Sequence, residues 1–511
     1  MNVLLVMLTL VAASLEPARA HARPPEGTQD AAVSLPSTTA GKQLRWVLRV
    51  MNEEEDDRSP EAAASRMTDA FLERVSGQDV LTELAAIRKD VYDNKKVRAI
   101  SVDQGERDDT MTAVLSAKGT QRYLSVFIIV DDKSGKIAGL RFEPAGGSGG
   151  GETPAPESGG SWQDMDKAMD EMQGDISFGC YEVVPRDPAK PAGELVLMDI
   201  AARNENRVLA VASTFKLYVL GALAEDVAAG KHAWTDELAI QEAAKSLPSG
   251  RMQLLPAGTT KPLEEFATGM ISISDNTAAD HLIRLLSRER VEAYTNALND
   301  NTGRNTPFLT TREAFALKLA ADAALQEKFT DADDQAQRAM LAPGGELADL
   351  VPDLEQASDW GEPRLIESAE WFASAKQLAH AFMRLRQLEQ DPRNEPLGRI
   401  MRKNPGLALD KSVWTSVAFK GGSEPGVLNM TWLLQRDDGR WYIFSVGQND
   451  HARNIEQEEF NRLCYRGLAI LAQDGRKQET PAPTPRPASP PRPDPFMDTG
   501  DQPAPPVDDG T

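Results

Sequence analysis

Ser213 and Lys216, three positions apart, are the first residues whose types and spacing suggest chemistry. They open an apolar helix predicted over Leu217–Val227, and positions i and i+3 share one face of a helix. The lysine amine can therefore reach the serine hydroxyl, which is a weak nucleophile until a neighbouring base takes its proton. A lysine acts as that base only where burial or nearby cations lower its pKa. A helix N-terminus at Ser213 would also direct backbone N–H groups towards a developing oxyanion.

Two further motifs follow Ser213 along the chain. Ser274-Asp275-Asn276 comes first, and Lys420-Gly421-Gly422 is predicted at the end of a strand over Val417–Phe419. Each motif has a structural alternative when it is taken alone. Ser213 and Lys216 could be a plain helix N-cap and a surface lysine, and the other two motifs could be an Asx-turn and a turn at a strand end. The three motifs together, in this order, favour a catalytic interpretation.

The composition excludes several classes of function. Lys and Arg number 56 against 78 Asp and Glu, and the resulting net charge of −22 would repel nucleic-acid phosphates. Aromatic residues make up only 6% of the 511 residues, which is few for base-stacking surfaces. Two cysteines exclude a Cys₄ metal site, and the five histidines include no H-E-x-x-H pair. We therefore expect a small-molecule substrate, no nucleic acid, no metal and no cofactor.

The ends of the chain are predicted to lie outside the fold. Residues 1–22 contain an apolar run followed by small residues, typical of a cleaved signal peptide, with an uncleaved anchor or a wrong start as the alternatives. The run is too short to span a bilayer, so we expect a periplasmic or secreted protein without a membrane span. The proline-rich residues 476–511 are predicted to be a disordered tail, or else a tail that docks on a partner.

A glycine-rich linker at residues 146–160 divides the rest into a module at 40–145 and another at 161–475. The smaller module is predicted to have helices at Gln43–Met51, from Pro60, and at Val80–Tyr92, then strands at Val97–Val102, Thr110–Ala117, Tyr123–Val130 and Ile137–Phe142. Helices followed by a four-stranded meander give an α+β fold. This order resembles the NTF2 or ketosteroid-isomerase-like fold, an analogy that carries no function. The sequence names no protein partner for this module.

The larger module must position the three motifs. Its predicted elements are a helix at Met165–Met172, strands at Ile176–Val184 and Glu194–Ile200, the helix after Ser213, strands at Val417–Phe419, Val427–Leu434 and Trp441–Val446, and a helix at Ile455–Leu471.

The motifs S-x-x-K, S-D-N and K-G-G occur in this order, with helices at both ends of the module and strands predicted near both ends. This arrangement resembles the class A β-lactamase and penicillin-binding serine acyltransferase superfamily. The resemblance covers residues 161–475 and implies a five-stranded antiparallel sheet flanked by helices. The order of the two modules resembles that of exported LpqF-type proteins and of two-domain relatives in clavulanic-acid pathways.

The resemblance also implies a role for each motif residue. Ser213 would be the acylated nucleophile, Lys216 its base, and Ser274 a proton relay to the leaving group. Asn276 would hydrogen-bond a substrate amide, and Lys420 would supply positive charge for a substrate carboxylate and keep Lys216 deprotonated. The backbone N–H groups of Ser213 and Ser423 would form the oxyanion hole, and Gly422 would line the substrate site beside Ser423.

The sequence departs from this family in three ways. Gly421 stands where the family has Thr or Ser, so a hydroxyl that helps to bind the substrate carboxylate is missing, and Ser423 is a candidate substitute. The E-x-x-L-N segment that carries the deacylating glutamate is absent. The stretch from Ser274 to Lys420 is longer than usual for class A, and the excess includes the acidic stretch Thr330–Asp353.

Several glutamates are candidates for the missing base. Glu313 is the first by position, but Thr310–Glu313 before an apolar helical pattern reads as a capping box, which we favour. Ser374–Gln377 is a second capping box and resembles the helix start after the family's omega loop, which places that loop near Asp359–Phe372. Its candidate bases are Glu362, Glu367 and Glu370.

In the implied fold, Cys180 on the first strand and Cys464 on the last helix pack together. Either a disulfide or two buried thiols is expected, and we favour the thiols.

Two functional hypotheses follow. The leading one is an exported serine hydrolase that forms a Ser213 acyl-enzyme with a β-lactam, an ester or a peptidoglycan-like amide and turns β-lactams over slowly. The alternative is a catalytically weak module that binds cell-wall or β-lactam-like molecules.

Overall fold

In a computed structural model of the chain, the described residues are 33–72, 75–104, 110–118, 124–131, 133–144, 160–190, 193–247, 249–299, 303–351 and 360–475. The predicted signal peptide, the predicted tail and all of the predicted linker except Gly160 lie outside them. Among the described residues no helix is long and apolar enough to cross a membrane.

The smaller module packs helices against one face of a four-stranded antiparallel sheet. The strands follow one another in the order β1-β2-β3-β4, so the predicted meander is confirmed. Leu44 and Val47 on the first helix and Leu84 on the last enter one buried cluster with the sheet. The helices are α1 (Thr39–Met51), α2 (Pro60–Ser65), α3 (Asp69–Leu72) and α4 (Gly77–Tyr92), and the strands are β1 (Val97–Gln104), β2 (Thr110–Ala117), β3 (Leu124–Val130) and β4 (Ile137–Pro144).

The larger module is built on a five-stranded antiparallel sheet, as expected from the resemblance. The strand order is β11-β12-β13-β5-β6, which joins the last three strands of the module to its first two. Two two-stranded pairs, β7 with β10 and β8 with β9, accompany it. The strands are β5 (Asp175–Pro185), β6 (Leu195–Arg203), β7 (Leu209–Ala210), β8 (Glu237–Ala239), β9 (Thr260–Pro262), β10 (Phe372–Ala373), β11 (Trp414–Glu424), β12 (Val427–Arg436) and β13 (Trp441–Asn449).

Helices cover both faces of this sheet and form a further helical region. The helices are α5 (Trp162–Glu171), α6 (Lys216–Ala228), α7 (Leu263–Ser272), α8 (Asn276–Leu286), α9 (Arg288–Leu298), α10 (Thr311–Phe315), α11 (Ala323–Asp331), α12 (Asp334–Leu341), α13 (Ala375–Leu388), α14 (Leu397–Arg402) and α15 (Gln457–Gln473). Helices α11 and α12 fall in or beside the acidic stretch that the sequence marks as an insertion.

Each sheet face has its own buried layer. Met165 of α5 and Phe460 of α15 pack with Phe444 on one face, while Leu220 of α6 and Leu378 of α13 share a cluster with the opposite face. Every apolar side chain removed from water in these layers contributes about 1.5–3 kcal/mol. The sheet is therefore held rigidly between helices, which fixes the strand that carries Lys420.

The first layer also contains both cysteines. Cys180 on β5 and Cys464 on α15 are buried thiols and are not joined in a disulfide. Burial raises the pKa of the Cys464 thiol far above its usual value. The structure therefore agrees with the favoured alternative of two buried thiols.

One element differs from its prediction at the K-G-G motif. The sequence places this motif at the end of a strand, but β11 continues to Glu424, so Lys420, Gly421, Gly422 and Ser423 lie inside it. Lys420 pairs with Thr431 and Gly422 with Asn429 of β12. Glycines are weak strand formers, so they suggest that the strand ends there. The backbone pairing with β12 nevertheless continues across them.

Candidate active site

Ser213 lies in a single 3₁₀ turn, Ala212–Phe215, that leads directly into α6. The residues on either side of Ser213 in sequence anchor the turn on Trp371. Val211 N donates to the Trp371 carbonyl at 2.9 Å, and the Phe215 ring stacks on the Trp371 ring with centroids 3.9 Å apart. Ala212 adopts φ +42°, a conformation that is costly without a glycine and is typical of functional sites. The nucleophile candidate is thus held in a strained, rigid turn.

Lys216 is the first residue of α6 and is fully buried. Its Nζ lies 2.9 Å from Ser213 Oγ, 2.8 Å from the Ser274 carbonyl and 2.6 Å from Asn276 Oδ1. Burial lowers the pKa of Lys216 to about 7, although Asp275 and Asp280 act in the opposite direction. Near neutral pH the amine is therefore uncharged in a large share of molecules.

The partners of Lys216 suit an uncharged amine. The Ser274 carbonyl and Asn276 Oδ1 can only accept hydrogen bonds, so they use the two hydrogens of a neutral amine. The nitrogen lone pair is then free to accept from one of the two hydroxyls within reach, and Ser213 Oγ, at 2.9 Å, is nearer than Ser274 Oγ, at 3.1 Å. The geometry that the sequence predicts for a serine and its base is present.

Ser274 joins the two lysines of the site. Its Oγ lies 3.1 Å from Lys216 Nζ and 3.1 Å from Lys420 Nζ. Ser274 also has a left-handed backbone, φ +58°, which turns its side chain and its carbonyl towards the same amine.

Lys420 is 3% exposed and points from β11 towards Ser274. Burial, and then the charge of Lys216, lower the pKa of Lys420 well below its usual value. Two amines that share one hydroxyl favour a single charge between them. The Lys420 Nζ also donates to the Gly421 carbonyl.

Asn276 is almost fully buried and has partners on both sides of its amide. Its oxygen accepts from Lys216, and its Nδ2 donates to the Leu247 carbonyl at 2.9 Å. The group keeps a second N–H, so the predicted contact with a substrate amide stays a prediction.

Strand β11 approaches the nucleophile at Gly422. A Cβ at this position would fall 2.2 Å from the Val211 carbonyl oxygen and 2.7 Å from Ser213 N, so only glycine allows the contact. The backbone of β11 therefore runs beside Ser213 N one residue before Ser423. This is the arrangement that the predicted pair of oxyanion donors requires.

Gly421 has no side chain to replace the missing hydroxyl of the family motif. A Cβ there would lie 2.7 Å from Phe419 Cζ, so the strand is tightly packed at this point as well. Ser423, the candidate substitute, is exposed on the same strand.

Glu313 is a structural residue. Its carboxylate accepts from Thr310 N at 2.8 Å and completes the capping box of α10, and it also binds Arg288 Nη2 at 2.6 Å. The favoured interpretation as a helix cap is confirmed. The second predicted capping box, Ser374 with Gln377 at the start of α13, is confirmed too.

The three candidate bases of the predicted omega loop lie in different surroundings. Glu362 is exposed, and Glu367 is exposed and pairs with Arg304. Glu370 is buried, and both it and Glu424 contact Lys318 Nζ. Within the described part of the chain, none of the three loop glutamates hydrogen-bonds Ser213 or Lys216.

The buried cluster of Lys318, Glu370 and Glu424 is a feature that sequence reasoning did not find, apart from naming Glu370. Burial, and then Glu370, raise the pKa of Glu424 well above its usual value, so Glu424 binds a proton more readily than an exposed carboxyl does. Its members lie 52 and 106 positions from Lys318, and no local pattern connects them.

A second missed feature is the segment 249–252, which wraps the S-D-N motif. Ser249 Oγ donates to the Ser274 carbonyl at 2.8 Å, and Ser249 O accepts from Asn276 N at 3.0 Å. Asp275 receives N–H groups from Arg251 and Met252 at 2.5 and 2.9 Å. The segment has no motif of its own that could mark it in the sequence.

Among the described residues, no group of three or more His, Cys, Asp or Glu is arranged to hold a metal ion.

Comparisons with known proteins match two parts of the chain to family models. Residues 195–464 match the model of the beta-lactamase enzyme family, and residues 35–137 match a model described as the ORF 12 gene product N-terminal region. No curated protein matches the chain.

Three of the solved structures to which the chain is similar illustrate the range. A beta-lactamase from Sphaerobacter thermophilus is 20% identical, with a TM-score of 0.39, and the match covers 61% of this chain and 96% of that one. One from Desulfarculus baarsii is 14% identical, with a TM-score of 0.40 and coverage of 61% and 98%. PBP-A is 16% identical, with a TM-score of 0.36 and coverage of 61% and 94%. At these values the likenesses say nothing of this chain's substrate.

The family match spans more than half of the 511 residues and contains Ser213, Lys216, Ser274 and Lys420. The chain belongs to the beta-lactamase enzyme family.

Proposed function

We propose that the protein is a serine hydrolase related to class A β-lactamases, which acts through an acyl-enzyme on Ser213. The observation that carries the proposal is the 2.9 Å distance between Ser213 Oγ and the Nζ of Lys216, whose pKa is lowered to about 7. A buried, neutral amine that faces a serine hydroxyl has little structural value, since it costs desolvation without an ion pair.

The acylation step follows from the positions of the groups. Ser213 Oγ attacks the substrate carbonyl carbon, and its proton passes to Lys216 Nζ. The oxyanion that forms is stabilised by the N–H groups of Ser213 and Ser423. The bond to the leaving nitrogen or oxygen then breaks, and Ser274 passes it a proton from Lys216. The product is an ester between the acyl group and Ser213.

The substrate class follows from the charges around the site. Lys420 lies beside the nucleophile, and a substrate carboxylate next to its amine would favour the charged form of Lys420 and bind to it. The site therefore favours a substrate with a carboxylate near the scissile carbonyl. β-Lactams and peptidoglycan-like amides have this pattern, and activated esters need only the nucleophile and the oxyanion donors. Gly421 removes one carboxylate contact, so we expect weak discrimination among these substrates.

We further propose that β-lactam turnover is slow. Hydrolysis of the acyl-enzyme needs a base that activates water, and such groups contribute about 10²–10⁴-fold. Glu313 is committed to its helix cap and Arg288, and Glu370 to Lys318. An acyl-enzyme that persists is therefore the expected outcome.

The alternative is a catalytically weak binding module for cell-wall or β-lactam-like molecules. Gly421 and the engagement of the candidate glutamates favour it, while the Ser213–Lys216 geometry favours the enzyme.

Export and the wider relationships are also proposals. We propose that residues 1–22 direct the chain to the periplasm or outside, where β-lactam antibiotics are met. The helices and the four-stranded sheet of the first module support an NTF2-like relationship and membership of the LpqF-like two-domain group.

Intact-protein mass spectrometry after incubation with penicillins, cephalosporins and chromogenic esters tests the proposal. The expected result is a covalent adduct that peptide mapping assigns to Ser213 and that Ser213→Ala abolishes. Hydrolysis without Ser213, or neither adduct nor hydrolysis with any compound, would contradict the enzyme. Ligand binding that Ser213→Ala leaves unchanged would favour the binding module.

A further inference from the structure

The second face of the N-terminal sheet is covered by the segment that wraps the S-D-N motif. The module's own core takes the even-numbered residues of β3 from Leu124 to Val130, so Phe127 and Ile129 point to the opposite face. Yet Phe127 is only 7% exposed and Ile129 4%. Some other part of the chain must therefore cover this face.

The covering residues belong to the larger module. The Arg251 guanidinium carbon lies 4.1 Å from the centroid of the Phe127 ring, a close cation–π contact. On the neighbouring strand β4, a Cβ at Gly139 would lie 3.3 Å from both Cβ and Cδ1 of Leu254. Arg251 directly precedes the 3₁₀ turn Met252–Leu254 and Leu254 is its last residue, so this turn lies on the sheet.

The same short segment forms hydrogen bonds with all three residues of the S-D-N motif. Residues 249–252 bond to the Ser274 carbonyl, to the Asp275 carboxylate and to Asn276 N. Gly250 adopts φ +116°, and a Cβ there would fall 2.3 Å from Asp275 Cγ, so the segment and the motif are in close contact. A shift of the segment must move the motif with it.

We propose that the N-terminal module is a positioning domain for the active site, which holds Ser274 in place through the Phe127–Arg251 and Gly139–Leu254 contacts. Phe127, Gly139 and Arg251 are positioning residues and touch no substrate. The S-D-N turn needs such support because Ser274 has a left-handed backbone that its own sequence disfavours. The inference rests on the proposed acyl-enzyme only for its kinetic test.

Variants of the full-length chain distinguish loss of the contact between the N-terminal sheet and residues 251–254 from loss of the fold. Gly139→Leu introduces a side chain where a Cβ is already in close contact, and Phe127→Ala removes the ring beneath Arg251. Phe127→Tyr is the conservative variant, which keeps the aromatic face. Ile128→Val is the matched control, since it lies next to Phe127 but trims the module's own core on the other face.

We expect Gly139→Leu and Phe127→Ala to slow acylation by a penicillin about 10- to 100-fold, because misplacement of catalytic groups by about 1 Å has effects of this size. The loss should be in the acylation rate at saturation rather than in KM, and Phe127→Tyr should restore it. Ile128→Val should stay within about twofold of the wild type.

Hydrogen exchange gives a readout that needs no activity. The amides of residues 249–254 and 274–279 should exchange faster in Gly139→Leu and Phe127→Ala, while peptides from α6 and β12 stay protected. If the wild type forms no acyl-enzyme, the proposed function fails and the exchange result alone decides this inference. Folded variants with wild-type exchange in both segments, or with wild-type acylation in an active protein, would overturn it.

Discussion

Replacing Asn276 by aspartate places a carboxylate beside Lys216 without changing the size of the side chain. Asn276 Oδ1 lies 2.6 Å from Lys216 Nζ, so Asn276→Asp converts a neutral acceptor into an anion in contact with the amine. The anion stabilises the charged form of the lysine and raises its pKa. The variant therefore removes the base at neutral pH. It also replaces the Nδ2 donor to the Leu247 carbonyl by an oxygen, a loss that Asn276→Ala shares.

The size of the effect follows from the pKa of Lys216. At pH 7 a lysine with its ordinary pKa of 10.5 is neutral in roughly one molecule in three thousand, whereas a pKa of about 7 makes half of the molecules neutral. An opposite charge in contact with a titrating group typically raises such a pKa by about 1–3. The fraction of neutral lysine at pH 7 should then fall about 5- to 500-fold.

The assay is the rate of acylation by a chromogenic β-lactam between pH 5 and pH 10. In the wild type the rate should rise with pH and reach half its maximum near pH 7, because the neutral amine is the active form. In Asn276→Asp the midpoint should move to about pH 8–10, and the rate should recover at high pH. Asn276→Ala, which removes the acceptor without adding charge, should not move the midpoint upwards.

A rate that does not change between pH 5 and pH 10 would refute the role of Lys216 as a neutral base. So would an Asn276→Asp variant that shares the midpoint of the wild type and is merely slower at every pH.

Three further predictions concern the surroundings of the site. Gly422→Ala places a methyl group 2.2 Å from the Val211 carbonyl oxygen, so acylation should fall by at least about 100-fold; a normal rate in stopped-flow assays would show that β11 does not supply an oxyanion donor. Glu313→Ala should lower the free energy of unfolding in urea by about 0.5–2 kcal/mol through loss of the cap and should leave deacylation within about twofold; a large fall in deacylation would instead make Glu313 the base. Burial and Glu370 raise the pKa of Glu424, so the folded state binds more protons than the unfolded state, and stability should fall as pH rises above the carboxyl's ordinary pKa of 4.5. Glu424→Gln should weaken this pH dependence of the free energy of unfolding, measured at pH 5 and pH 8. An unchanged pH dependence would contradict the raised pKa of Glu424.

Much of the fold could be predicted because its signals are local. The capping boxes at Thr310 and Ser374 follow from side chains three residues apart. The alternation of apolar residues defines the strands, and the motif order defines the family. The sequence predicts that β11 ends before the K-G-G motif, because glycine has a low propensity for strands. The hydrogen bonds to β12 that extend the strand depend on a partner that the local sequence does not show.

The contacts that complete the site could not be predicted, because they join distant parts of the chain. Ser249 reaches the S-D-N motif with its hydroxyl and its carbonyl, and Arg251 reaches it with its backbone N–H. None of these groups carries a sequence signature. Lys318, Glu370 and Glu424 meet only when the loop before α13 folds against β11. Charged side chains usually lie at the surface, and only the tertiary structure shows that these three are buried.

The charge state of Lys216 can be measured without any substrate. Protein labelled with ¹³C at the lysine ε-carbon would be titrated by NMR, and the signal of Lys216 would be assigned by its loss in Lys216→Arg. We predict that the Lys216 signal titrates near pH 7, because burial disfavours the charged form of this amine. A Lys216 signal that titrates only above about pH 10, like an exposed lysine, would contradict the serine–lysine mechanism.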